Sequence, residues 1–421
     1  MILFRGIKEL VTLEKAARKE GRRCQEEDLS VLAQGAILVS SRGQILWVGK
    51  ENKFSSKILK NLAAKVQPRE LKEVHLNTHT VLPGFIECHT HLGFAGHRSQ
   101  EFEWRMAGAS YQEIYEKGGG IQSTVQATRR VSLAELRRDV QKRARTFLQQ
   151  GVTYLEVKSG YGLDLKNELK LLEAYKDISF PRTVKTYLGL HAKSPDHPRI
   201  EDYFNYVLEY VLPQIAKKKL ADRVDVFVEK GFYTTEQALQ YFDKARQLGL
   251  DAVIHADQLT LSGGSDLAVD FFCLSADHLV QITEREILRL AESEVTCVLL
   301  PAADLYLKCA YPPARELIDR GARVALATDF NPGSSPTQNL NLVGVLARLE
   351  MKMKLYEVLI AYTVGAAHAL KVNSKAGSLT LGMDADFVCT QKSWRDLFYQ
   401  VGEQDVHEVF GRGRRKWRKT N

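Results

Sequence analysis

No stretch of roughly 18 consecutive apolar residues, the least that crosses a bilayer as a helix, occurs in the 421-residue chain. A membrane partner is therefore not expected. The N-terminus, MILFRGIKELVTLEKAARKEGRR, lacks the basic start, apolar centre and small-residue cleavage site of a secretory signal, and a cytoplasmic location is expected. Cysteine is scarce: six residues, at positions 24, 88, 273, 297, 309 and 389, with no Cys-x-x-Cys pair. This argues against a disulfide framework and reads as small core hydrophobes in a reducing compartment. Only Cys88 stands beside a chemically suggestive motif. No Gly-x-Gly-x-x-Gly follows an early apolar run, which argues against a dinucleotide-binding sheet. EKGGGIQST (116–124) holds three glycines, but no Walker Lys-Ser/Thr follows, so a phosphate cradle is not expected there. The formal charge of +8 is also less than it looks. Arg412, Arg414, Arg415, Lys416, Arg418 and Lys419 all lie in the last eleven residues, and without them only a small positive excess remains. The charge reads as a solvated tail, and no nucleic-acid partner is expected.

What the chain does contain, from residue 80 onward, is a repeated unit: an apolar run, a turn, then an amphipathic segment. Eight runs recur, at 80–91, 151–159, 183–192, 224–230, 251–257, 274–280, 295–301 and 322–329. They are nearly continuous in hydrophobicity and rich in β-branched and aromatic residues, as strands buried on both faces are. Helical segments separate them. One is SLAELRRDVQKRARTFLQQG, with Ser132 as N-cap, Glu135 completing a capping box and Gly151 as a stop. The alternation predicts an α/β fold, a (β/α)8 TIM-like barrel, with an open doubly wound sheet as runner-up. Residues 1–79 and 373–421 fall outside the repeat. Their short strand-like pieces predict one small β-sandwich built from both chain ends around a catalytic barrel at 80–372, and 336–371 reads as two further helices.

Active sites of such barrels form at the C-terminal ends of the strands. Read in order, those ends offer His89 and His91, Lys158 and Tyr161, His191, Glu229, His255, His278 and Asp329; the seventh run ends in Pro301 and offers nothing evident. Residues i and i+2 of a strand share a face, so His89 and His91 can both point inward, with His255 and Asp329 able to complete a ligand set. Imidazole and carboxylate donors suit zinc, iron or a similar divalent ion. A second ion needs a bridge, and in related barrels that bridge is a carboxylated lysine ending strand 4. Here that end is Val-Glu-Lys-Gly (228–231), where Glu229 has a better claim to the inward position than Lys230. One divalent metal ion per chain is expected. Arg98, seven residues past the histidine pair, suits a clamp for a substrate carboxylate.

Taken together, PGFIECHTHLGFAGHR, GGGIQSTVQATR, LEVKSGYGLD, IHADQL, SADHL and ALATDFNPGSSPTQN resemble the imidazolonepropionase family of the amidohydrolase superfamily. The Lys-Ser-Gly-Tyr-Gly-Leu-Asp and Thr-Asp-Phe-Asn-Pro-Gly-Ser runs carry this more specifically than the bare His-x-His. The resemblance implies a distorted barrel with a small β-sandwich, a homodimer, and hydrolysis of the cyclic amide of 4-imidazolone-5-propanoate to N-formimidoyl-L-glutamate. It implies zinc or iron on His89, His91, His255 and Asp329. Arg98, Tyr111, Tyr161, His191 and Gln258 would contact a small substrate bearing a carboxylate, with Asn331, Gly333 and Ser334 in the loop that holds it. His278 corresponds to the histidine facing the attacking water, and His191 would polarise the carbonyl. Two departures stand out. Glu87 replaces an expected Asp, and Gln258 stands where some members carry a Glu proposed as general base. Glutamine does not accept a proton usefully, which leaves Asp329 and His278 as the catalytic candidates. The rival readings are another cyclic-amide hydrolase or deaminase of the superfamily, or a metal-holding barrel without catalysis.

Overall fold

The computed structural model describes residues 1–63, 71–109, 113, 117, 119–403 and 405–420. Tyr111, expected at the substrate, lies outside the described residues.

Each of the eight apolar runs forms a strand. Barrel strands 1 to 8 are Phe85–Glu87, Val152–Lys158, Arg182–Leu190, Arg223–Val228, Asp251–Ala252 with Ile254–Ala256, Ser275–His278, Thr296–Leu299 and Arg323–Leu326. They are parallel and lie side by side in sequence order, the fifth strand being broken at Val253. Strands 1 and 8 are joined beyond their ends. Asp329 N–H donates to the His89 carbonyl at 3.1 Å, and His91 N–H donates to the Phe330 carbonyl at 2.9 Å. Just below, the Glu87 carboxylate accepts from the N–H groups of His89 and Thr328, each at 3.1 Å. That side chain takes the place of a main-chain rung.

The helix Leu133–Gln149 forms as its sequence predicts. The Ser132 hydroxyl accepts from Glu135 N–H, and the Glu135 carboxylate accepts from Ser132 N–H at 2.8 Å. Its Leu136, Val140, Ala144 and Phe147, spaced four, four and three apart, are buried on one face. Between Pro336 and Lys371 the helices Leu340–Leu349 and Leu355–Ile360 appear, the second continuing to Ala369.

Both chain ends enter one seven-stranded sheet, ordered Arg414–Arg418, Val406–Gly411, Phe387–Thr390, Lys72–Pro83, Ile2–Val11, Val31–Val39 and Ile45–Lys50. It rolls over on itself. The Phe4 and Phe410 rings lie 5.5 Å apart although two strands separate theirs in the sheet. The basic C-terminal stretch is no loose tail: Arg414–Arg418 is the edge strand, with Arg414, Arg415, Lys416 and Arg418 exposed. Charge on an edge of this kind discourages pairing with a second sheet. Among the described residues no helix is long and apolar enough to cross a membrane.

The first apolar run is shared between the two sheets, Lys72–Pro83 serving the small sheet and Phe85–Glu87 the barrel. Gly84 makes the crossing. A Cβ there would stand 2.2 Å from Thr153 Cγ2 and 2.5 Å from its hydroxyl oxygen, so the turn needs glycine for space. Gly84→Ala is expected to cost about 1–3 kcal/mol by overpacking, read as a lower denaturant midpoint at constant slope. An unchanged midpoint would show that the crossing yields freely.

Candidate metal centre and active site

His89, His91, His255, His278 and Asp329 are brought together by strands 1, 5, 6 and 8, each at most 4% exposed. The Asp329 Oδ1 lies 3.5 Å from His89 Nε2 and 3.4 Å from His91 Nε2, and His91 Nε2 lies 3.5 Å from His255 Nε2. Two overlapping groups, His89 with His91 and Asp329, and His89 with His255 and His278, have donor atoms within 4.8 Å of one another. His278 thus stands as near to the centre as the four residues expected there. Asp329 (φ 52°) and His278 (φ 80°) both adopt the left-handed region, which costs a non-glycine residue energy and is met mostly where function holds it.

The His89 Nε2 and Asp329 Oδ1 atoms, 3.5 Å apart at the centre, are buried with no hydrogen-bond partner. Buried polar atoms are nearly always paired, so this unpaired nitrogen and oxygen, within reach of the other imidazoles, fit a cation. Two of the rings are also held in the required tautomer. His89 Nδ1 meets Asp277 Oδ2 at 2.6 Å, and His255 Nδ1 meets Asp225 Oδ1 at 3.0 Å. With each Nδ1–H donated to a carboxylate, both Nε2 lone pairs face the centre. The electrostatics agree. Burial alone would depress the pKa of His89, yet Asp277 and Asp329 outweigh it and lift the value to about 9. His91 is pushed down to about 4 by burial. The centre therefore favours positive charge at His89 and a neutral imidazole at His91. These residues can hold a metal ion.

The strand-4 expectation changes. Lys230 is exposed and is no bridge. Glu229 is buried, but its carboxylate accepts from the N–H groups of Lys230 at 2.9 Å, Leu259 at 2.8 Å and Thr260 at 3.2 Å. It holds the loop after strand 5, in which Gln258 is buried, rather than facing the metal centre. Lys158 is wholly buried within the barrel.

At the mouth, Arg98 is held by Glu101, with Nε 2.8 Å from Oε2 and Nη2 2.5 Å from Oε1. Glu101 also accepts from Arg105 at 2.9 Å and from Gly120 N–H at 2.7 Å. The free edge of the Arg98 guanidinium lies over Gly333, where a Cβ would sit 2.1 Å from Nη1. Tyr161 is buried, its ring 5.2 Å from His191 and 5.9 Å from His91. Its loop is pinned by Glu168, which accepts from the N–H groups of Gly160, Gly162 and Leu163 at 3.0, 2.8 and 2.9 Å. His191 stacks on His91 at 5.0 Å and turns Nδ1 to the Gly160 carbonyl at 3.1 Å. A carbonyl only accepts, so Nδ1 carries the proton. Burial holds the pKa well below the usual histidine range, the ring is neutral, and Nε2 is left as an acceptor. The Asn331 amide is occupied within its own loop. It donates to the Asp329 carbonyl at 2.7 Å and to Ser334 Oγ at 2.9 Å, and accepts from the Gly333 and Ser334 N–H groups, both at 2.8 Å.

The sequence reading missed Glu101, Asp225 and Asp277. The last two had a signal: an acid inside an apolar strand buried on both faces must have a charged or polar partner.

A family model described as Amidohydrolase family matches residues 80–415. Among solved structures, an adenosine deaminase from Xanthomonas campestris with bound zinc superposes with a TM-score of 0.70 at 19% identity, covering 99% of this chain and 92% of that one. Guanine deaminase of E. coli superposes with a TM-score of 0.71 at 16% identity, over 100% of both chains. These likenesses concern the fold alone. The class is thus an amidohydrolase.

The imidazolonepropionase of Bdellovibrio bacteriovorus is 54% identical over 414 residues, 98% of this chain and 96% of that protein. That of Porphyromonas gingivalis strain W83 is 35% identical over 418 residues, 98% of this chain and 96% of that protein. The chain belongs to the imidazolonepropionase family and is a hydrolase.

Strand 7 is followed by a group the sequence reading passed over. Asp304 is buried, its Oδ2 has no partner, and burial lifts its pKa from 3.8 to about 7. A carboxyl raised on folding stabilises the fold below its unfolded value, and that contribution is lost as pH rises through the folded value. Metal-free protein is expected to lose a few kcal/mol between about pH 4 and pH 8 that Asp304→Asn keeps. Denaturant midpoints at both pH values check this; parallel losses in the two proteins would remove Asp304 as the cause.

Proposed function

We propose that the chain hydrolyses the cyclic amide of 4-imidazolone-5-propanoate to N-formimidoyl-L-glutamate in histidine degradation. In this reading 80–372 is the catalytic unit, 1–79 and 373–421 form the accessory one, and the protein works as a cytoplasmic homodimer. His89, His91, His255 and Asp329 would hold one divalent ion, zinc or iron. Such an ion supplies Lewis acidity and lowers the pKa of water from 15.7 toward about 7.

The observation that carries the substrate reading is the Arg98–Glu101–Gly333 arrangement beside the imidazole cluster. A guanidinium held by one carboxylate, with its free edge over a glycine, is pre-set for a second carboxylate, the propanoate. His191 takes a role different from the one expected. Its Nε2 is an acceptor, so it receives a ring N–H of the substrate instead of polarising the carbonyl. Asp329 accepts the proton of the attacking water and delivers it to the leaving ring nitrogen. His278, held at φ 80° beside the His255 ring, orients that water. Asn331 shapes the Gly333–Ser334 loop through its own amide, and that loop would hold the substrate.

The direct test follows the ultraviolet absorbance of 4-imidazolone-5-propanoate, with purine and hydantoin substrates in parallel. Turnover confined to the latter would replace this reading. Arg98→Ala is expected to raise KM roughly 10- to 100-fold at unchanged metal content; a normal KM would make Arg98 a surface residue. Asp329→Asn should abolish single turnover, whereas His278→Asn should leave measurable activity. If the Asp329 variant is the faster at equal metal occupancy, the base is His278.

A further inference from the structure

Beneath the imidazole cluster lies a layer of charge that neither substrate nor solvent reaches. Lys158, the last residue of barrel strand 2, is 0% exposed. Its ammonium stands 2.7 Å from Asp225 Oδ2, 2.9 Å from Glu156 Oε1 and 3.8 Å from Asp277 Oδ2. Asp225 is the carboxylate bound to His255, and Asp277 the one bound to His89. Glu156 is fixed in turn by Arg223, which also donates to Thr186 Oγ1 at 2.9 Å and to the Ala369 carbonyl at 2.6 Å. One cation therefore faces two carboxylate–imidazole pairs, contributed by strands 4 and 5 and by strands 6 and 1.

A buried ammonium costs several kcal/mol unless paired, and an ammonium offers three donors and no acceptor. Lys158 has three carboxylates around it and no neutral partner to release. This arrangement does not suit a nucleophile, nor a lysine that takes up carbon dioxide as a second-metal bridge. It suits a strut. We propose that Lys158 is a positioning residue that sets Asp225 and Asp277 so that His255 and His89 present Nε2 to a single ion. The proposal rests on the metal-centre reading above and adds the residue that aligns two of its ligands from strands on different sides of the barrel.

The test uses the full chain and Lys158→Met. Loss of the charge can prevent folding, so the charge-balanced Lys158→Met/Asp225→Asn protein and Asp225→Asn alone are made with it. Zinc affinity is measured by chelator competition. The His255 tautomer is read in metal-free protein from its ring-nitrogen chemical shifts. Lys158→Met is expected to bind zinc 10- to 100-fold more weakly, the size usual for residues behind metal ligands. Its His255 should lose the uniform Nδ1–H signature, and adding Lys158→Met to Asp225→Asn should cost less than Lys158→Met costs the unaltered chain, because only the Asp277 arm is then left to lose. Wild-type zinc affinity together with an unchanged His255 signature in folded Lys158→Met would overturn the proposal, as would additive losses in the double variant. If the unaltered chain binds no zinc, the metal reading fails, while the His255 signature still decides whether Lys158 positions the ring.

Discussion

The seam between barrel strands 1 and 8 is the constraint on which the rest of the site depends. Two main-chain hydrogen bonds, Asp329 to His89 and His91 to Phe330, close the barrel beyond the ends of the two strands. The same two bonds place the side chains of His89, His91 and Asp329 in one layer, with their donor atoms 3.4–3.5 Å apart. Closing the barrel and building the centre are one event. Much of the buried charge nearby follows from it. Unpaired polar atoms buried inside a barrel need neighbouring charge that is oriented and itself neutralised. Asp277, Asp225, Lys158, Glu156 and Arg223 form that second layer, and all five are at most 2% exposed.

The mouth of the barrel follows a second rule. Four of the loops that carry residues proposed for the substrate are held by a side chain accepting main-chain N–H groups. Glu101 does this for Gly120 while also holding the Arg98 guanidinium, Glu168 for the Tyr161 loop, Glu229 for the Gln258 loop, and Asn331 for Gly333 and Ser334. Loops are the mobile parts of a barrel enzyme, and positioning within a few tenths of an ångström is what turns binding into rate. Glu168 and Glu229, each accepting from three main-chain amides, fix their loops without a regular element.

Much of this was legible in the sequence. The eight strands could be read because strands buried on both faces leave continuous apolar runs, and the helix after Ser132 could be read because its capping box is local. His89, His91, His255, His278 and Asp329 stood at strand ends and do meet. What could not be read was direction beyond a strand end. Glu229 follows Val228, the last residue of its strand, where the alternation of faces no longer applies, and it turns to the next loop. Asp329 and His278 are aimed by left-handed backbone that no periodicity announces. The partners of Lys158 come from strands 2, 4 and 6, and the Asn331 amide is spent on its own loop. Both are matters of register and three-dimensional closure, and neither leaves a pattern along the chain.

The claim that this seam builds a single metal centre is tested most directly by elemental analysis of the purified, dialysed chain beside His89→Ala. The account predicts one equivalent of zinc or iron per chain, and none in the variant. Two equivalents in a fully active protein, or an equivalent retained after His89 is removed, would contradict it.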